Sequence, residues 1–121
     1  MNEPQETRSN SPVAVDLINQ LPGVECHFQA DKDIVKTYAS NDEAELLADL
    51  STVCLNFAST VAEAAGFGAV NRVVSYGKTT KFTVFGLMAK NANPPGPRIF
   101  GIKTSKSVKE KDLVSAVNNL I

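Results

Sequence analysis

The residues in this sequence best equipped for chemistry are one histidine, His27, and two cysteines, Cys26 and Cys54. A histidine serves as a general base only if a nucleophile lies within hydrogen-bond reach. Cys26 and His27 are neighbours in an alternating stretch, so their side chains point to opposite faces of a strand and cannot form a Cys-His pair. With Glu25 and Gln29 as neighbours on its face, His27 reads as a partly exposed structural histidine. The two cysteines are far apart and show neither C-x-x-C nor metal-ligand spacing, so they read as buried or half-buried thiols. No Gly-x-Ser-x-Gly elbow is present.

Two glycine-containing segments resemble phosphate sites only in part. Gly77-Lys78-Thr79 has the end of a P-loop, but Arg72 stands where the pattern needs its first glycine, and the triplet joins two predicted strands instead of a strand and a helix. Gly66-Phe67-Gly68 starts like a dinucleotide fingerprint, yet Asn71 takes the third glycine position and the segment leaves a helix, so it reads as a helix stop. Asp31 and Asp33 suit a turn, with no calcium-loop spacing after them. Lys103, Lys106, Lys109 and Lys111 form a basic cluster around the start of the last helix, which reads as a solvated face balanced by Glu110 and Asp112. Pro94 to Pro97 satisfies P-x-x-P but contains Gly96, which weakens the stiff extended helix, and it reads as a connection between strands. No catalytic, cofactor-binding or metal-ligating set emerges, which argues against an enzyme.

Composition narrows the classes further. The chain has 121 residues, 43% of them hydrophobic, and a formal charge of -1. That length fits a single domain with a core that needs no metal or disulfide. The balanced charge provides no positive field to hold nucleic acid. Residues 1 to 12 are polar and read as a disordered tail without the apolar core of a secretion signal. No apolar run approaches the ~20 residues of a membrane span. A soluble protein of the reducing cytoplasm is expected.

The elements that position these residues follow from periodicity. Ser11-Pro12 starts a short helix carrying Val13, Ala14, Leu17, Ile18 and Leu21, and Pro22-Gly23 ends it. Val24 to Ala30 alternates as a strand, Asp31-Lys32-Asp33 turns, and Ile34 to Ala39 returns as its hairpin partner. Ser40 or Asn41 caps a long helix running to Gly66, with Asp42, Glu43 and Glu45 in its first turn. Strands follow over Val70 to Tyr76, Lys81 to Ala89 and Arg98 to Thr104. Ser107 caps a closing helix carrying Leu113, Ala116 and Val117. The order α-β-β-α-β-β-β-α, with apolar residues on both faces of the fourth strand, predicts an α+β fold, a three-layer α/β/α sandwich around a five-stranded antiparallel sheet.

The central helix is more apolar than one sheet requires. Leu46, Leu47, Leu50, Val53, Cys54, Phe57, Ala58, Val61, Ala64 and Ala65 fill about 140° of its circumference, and Ala44, Ala48, Leu55 and Ala62 widen the arc to roughly 220°. The leucine-rich arc is expected to face the sheet and the alanine-rich extension to meet a second copy. The expected dimer interface is therefore Ser51, Leu55, Ala58 and Ala62 on the helix, with Val70, Arg72, Val74 and Tyr76 on a strand that, if it is the sheet edge, can continue pairing with a copy of itself.

This layout, from the Leu21-Pro22-Gly23-Val24 junction through the hairpin, the alanine- and leucine-rich helix from Glu43 to Ala65, three more strands and a closing helix, resembles the Roadblock and dynein-light-chain family over residues 13 to 121. The Asp31-Lys32-Asp33 turn departs from many relatives in lacking glycine. The resemblance implies a homodimer, or a heterodimer with a sibling domain, in which the central helices pack against each other and the third strands join the sheets. It also implies a non-catalytic scaffold or regulator, commonly of Ras-like small GTPases. On that basis Asn56, Ser59, Thr60 and Glu63, the exposed strip of the central helix, are the expected partner-binding residues. The alternative is a profilin-like or PAS-like small-molecule sensor, which needs a pocket with converging polar groups.

Overall fold

A computed structural model describes residues 18, 20–31, 37–68, 70–90 and 95–118. Its elements are β1 (Val24–Asp31), β2 (Thr37–Ala39), α1 (Asp42–Ala64), β3 (Arg72–Tyr76), β4 (Thr80–Ala89), β5 (Gly96–Ser105) and α2 (Glu110–Asn118). The expected polar tail, most of the expected first helix and the Lys32-Asp33 turn lie outside the described residues, although Ile18 is helical.

All five strands join one antiparallel sheet in the order β2-β1-β5-β4-β3. The two apolar parities of β4 part as the pattern requires. Phe82 and Val84 join Cys26, Phe28, Ala30 and Ile99 beneath Ala44, Ala48 and Leu55 of α1. Phe85 and Leu87 join Phe100 and Ile102 on the other face, against Leu113, Ala116 and Val117 of α2 and against Ile18. The sheet is thus the middle of three layers, with a core on each side.

The Leu21-Pro22-Gly23-Val24 junction has a physical cause. Gly23 adopts φ +91°, and a Cβ there would stand 2.7 Å from Val108 Cγ2. Its carbonyl accepts a hydrogen bond from Ser105 N at 2.9 Å, which ties the entry of β1 to the exit of β5. Only glycine meets both the left-handed backbone and the close approach.

Four local expectations are corrected. Ser107 does not cap α2: its hydroxyl is 2.8 Å from Ser105 Oγ, and the helix begins at Glu110, with Lys109 O accepting from Asp112 N and Leu113 N. His27 is 5% exposed, buried on the α2 face and stacked on Tyr38. A bulge between Val24 and Cys26 interrupts the alternation, and Glu25 reaches Lys103 at 3.6 Å rather than lying beside His27. Lys103 also leaves the expected basic cluster, because it faces α1 and bonds Glu43 at 2.7 Å. Finally, Cys54 is exposed and only Cys26 is buried.

Candidate protein-interaction surface

Helix α1 is held at its start by Asn41, whose extended backbone turns Oδ1 to accept from Ala44 N at 2.9 Å. Asp42, Glu43 and Glu45 fill the first turn, where the positive end of the helix dipole favours carboxylates. Glu43 reaches back to the sheet and binds Lys103, which holds its carboxyl below the usual range. Its other oxygen lies 3.7 Å from Cys26 Sγ; burial, together with the Glu43 charge, pushes that thiol up to about 11.

The stripe that packs on the sheet is the alanine-rich one. Ala44, Ala48, Ser51 and Ala62 are buried, and Leu55 lies over Gly86. Small side chains let the helix axis approach the sheet closely, so the expected surplus stripe is the covered one. Ser51, Leu55 and Ala62 are therefore used within their own chain, and Ala58 is half-buried. The uncovered stripe is the leucine-rich arc expected to face inward. Leu46 is 60% exposed, Leu50 57%, Val53 68%, Phe57 71% and Val61 50%. At ~100° per residue these five form one continuous row on the side of α1 opposite the alanine stripe. They point away from the sheet.

The strip expected to meet a partner flanks this row. Asn56, Thr60 and Glu63 are exposed and Ser59 is half-buried, and Thr60 Oγ1 donates to Asn56 O at 3.0 Å. Asn56 and Ser59 also edge a cleft of about 210 Å³ with Leu55, Val70, Met88 and Arg98. Arg98 is not a spare cation, since its Nε lies 3.5 Å from Asp31 Oδ1.

Strand β3 is an edge of the sheet. Asn71 O accepts from Gly86 N, and Gly77 N donates to Thr80 O, so the odd-numbered residues between them face β4 with their backbone groups. The N–H and C=O of Arg72, Val74 and Tyr76 consequently project from the free edge. The side chains of these three lie on the α2 face of the sheet, because they pair with Phe85, Thr83 and Lys81. Leu55 and Val70 meet in the cleft, whereas Arg72, Val74 and Tyr76 lie on the opposite face from α1.

Neither phosphate-like segment makes a phosphate site here: Gly77-Lys78-Thr79 is the turn between β3 and β4, and Gly66 and Gly68 have positive φ values at the end of α1. Among the described residues no group of three His, Cys, Asp or Glu side chains is placed to hold a metal ion, and no helix is long and apolar enough to cross a membrane.

The architecture matches a crystal structure of a Roadblock/LC7 domain from Streptomyces avermitilis with a TM-score of 0.71 over 91% of this chain and 92% of that one, at 16% identity. The chain has the Roadblock fold. Myxococcus xanthus MglB shares this Roadblock architecture with a TM-score of 0.64 at 10% identity, over 98% of this chain and 90% of that one. No family model matches the sequence, and no curated protein matches it either. The Roadblock likeness therefore lies in shape, with little sequence in common.

Sequence reasoning missed one polar pair on the α2 face. Lys81, 3% exposed in its side chain, places Nζ 2.6 Å from Glu110 Oε2, and Thr83 Oγ1 donates to that same oxygen at 2.9 Å. A lysine within an otherwise apolar strand was the available signal, but nothing local indicates which carboxylate would reach it.

Proposed function

We propose that this chain is a non-enzymatic scaffold or regulatory module that dimerises, as a homodimer or with a sibling domain, and acts by binding another protein. A Ras-like small GTPase is the partner class implied by the resemblance to the Roadblock family. The observation that carries the reading is the row of five large apolar side chains exposed on α1, from Leu46 to Val61. Soluble monomers rarely leave such a contiguous patch uncovered unless something binds there. The Roadblock fold and the free backbone groups of Arg72, Val74 and Tyr76 support two-fold pairing of β3 with β3 of a second copy.

Val74→Pro tests the dimer. It removes an N–H from the free edge while leaving the bonds to β4 intact. Light scattering should show twice the 12.9 kDa chain mass for the original sequence and a monomer for the variant, with little change in thermal midpoint. A monomeric original chain at tens of micromolar overturns the dimer.

A second reading, a small-molecule sensor, is favoured by the cleft between α1 and the β4-β5 hairpin, where Asn56, Ser59 and Arg98 converge on Leu55, Val70 and Met88. Thermal shift against a metabolite panel separates the two, because a ligand bound only to the folded chain raises its midpoint.

A further inference from the structure

We propose that the groove between β3 and α2, on the sheet face opposite α1, seats an extended acidic segment of another protein. The inference rests on the interaction-module reading above and gives that module a second surface of defined chemistry. Arg72, Val74 and Tyr76 carry their side chains on the α2 face, yet α2 lies over β4 and β5, where it covers Phe85, Phe100 and Ile102. Tyr76 is consequently 64% exposed, Arg72 is exposed and Val74 is half-buried. With Lys111, Val114, Ser115 and Asn118 of α2, Arg72 lines an open groove of about 520 Å³.

Charge selects the occupant. The lysines around the start of α2 are not balanced as their sequence neighbours suggest. Glu110 also lines the groove, but Lys81 holds its Oε2 at 2.6 Å and Thr83 donates to the same oxygen, so its charge is spent within the fold. Asp112 lies about 100° beyond Lys111 on the helix and outside the groove lining. Among the described residues none of Arg72, Lys78, Lys106 or Lys111 is in a salt bridge, and all four are exposed. Arg72 and Lys111 border the groove. The turn carrying Lys78 is tied to the segment carrying Lys106, just beyond the Tyr76 end of β3, by the bond from Lys106 N to Thr79 O at 3.1 Å. The opposite side of the sheet has the reverse sign: α1 contains Asp42, Glu43, Glu45, Asp49 and Glu63 and no lysine or arginine. A chain of formal charge -1 is thus polar across its thickness, and its basic side attracts anions.

Shape selects an extended chain among anions. A helix with its side chains is about 10 Å thick, so α2 stands as a wall beside the exposed face of β3. A flat anionic bilayer resting on that wall would miss Arg72, Val74 and Tyr76 at its foot. An extended segment is about 5 Å across and fits along it. Val74, Tyr76 and Val114 offer such a segment apolar contact. Arg72 and Tyr76 are about 13 Å apart along the strand, so carboxylates four residues apart, with an apolar residue between them, reach both basic ends. The groove does not depend on how two copies pair, since α1 lies on the other face of the sheet and the free backbone groups of β3 lie in its plane.

The test uses the full chain and three fluorescent peptides of about nine residues, each about 30 Å long when extended. One has glutamates on both sides of a central leucine, one has lysines in their place, and one keeps the glutamates but has glycine for leucine. The first is expected to bind saturably and the glycine peptide several-fold more weakly. Affinity for the first should fall about tenfold or more in about 0.5 M salt and in the Arg72→Gln/Lys111→Gln variant. Lys111→Glu, outside the free edge of β3, should weaken binding likewise while circular dichroism and light-scattering mass stay unchanged. Asp42→Asn/Glu45→Gln/Asp49→Asn, on the opposite face, should leave the affinity within about twofold. Equal binding of the lysine or the glycine peptide, or binding that neither groove variant weakens, overturns the proposal. Phosphatidylserine vesicles or a single-stranded oligonucleotide that bind more tightly than the first peptide, and lose that binding in Lys111→Glu, also overturn it by naming another occupant. A dimer that binds none of the peptides overturns this inference alone, and a monomer that binds the first peptide overturns the dimer alone.

Discussion

Leu55 lies over Gly86 so closely that a Cβ on the glycine would stand 2.5 Å from the leucine Cδ2. Two residues further along α1, Phe57 faces solvent. The pair divides the helix into a side that holds the fold and a side available to a partner. Leu55→Ala should lower stability by about 2 kcal/mol through loss of packing. Phe57→Ser should stay within about 0.5 kcal/mol. Denaturant midpoints at two protein concentrations check both values. Leu55→Glu should unfold the chain more readily at every concentration, since it puts a carboxylate against its own sheet.

Lys81 and Glu110 anchor the start of α2 to β4. Removing one member leaves the other charge without its partner, so Lys81→Met should cost about 3 to 5 kcal/mol. The double variant Lys81→Met/Glu110→Leu should recover most of that loss, because neither charge then remains. Among the described residues Glu110 Oε1 is buried without a hydrogen-bond partner, so the pair is imperfectly satisfied as it stands. Urea titration of the two single variants and the double variant measures the coupling.

Acid should weaken the fold through His27. Burial lowers its pKa from the ordinary 6.5, so the folded chain favours the neutral ring. Well above pH 6.5 neither state is protonated to any extent, and the full stability is present. Below it the unfolded chain gains a proton that the folded chain resists, and stability falls until the folded pKa has been passed. His27→Phe keeps a ring beside Tyr38 and should flatten the decline in thermal midpoint between pH 7 and pH 5. An equal decline in the variant would assign the acid sensitivity elsewhere.

The cysteines should separate by reactivity. Cys26 is buried with its pKa raised to about 11, and Cys54 is exposed. At pH 8 a thiol reagent such as DTNB should modify one cysteine per native chain rapidly and the second only in urea. Cys54→Ser should remove the rapid phase.

Much of the fold was legible because it depends on local signals. Alternation in β1, two apolar parities in β4, the Asn41 cap and the acidic first turn of α1 each specify their element without reference to the rest of the chain. The orientation of α1 was not legible. Hydrophobicity ranks Leu46, Leu50 and Phe57 above alanine as core candidates, but closeness to the sheet favours the smaller side chains, and Gly86 receives Leu55 only once β4 is in place. The same limit concealed Lys81 with Glu110, which lie 29 positions apart, and the bulge between Val24 and Cys26 that takes Glu25 away from His27. That β3 lies at a sheet edge is legible in the sequence only as a condition, and both its place in the strand order and the exposed ridge on α1 require the packed structure.

The unequal edges of the sheet bear on how large an assembly can grow. A two-fold junction would use the β3 edge of both copies, leaving the β2 edge, Thr37–Ala39 among the described residues, at each end of the enlarged sheet. Because such a junction consumes the same edge on both partners, addition through β3 stops after one step and gives a closed pair instead of a fibre.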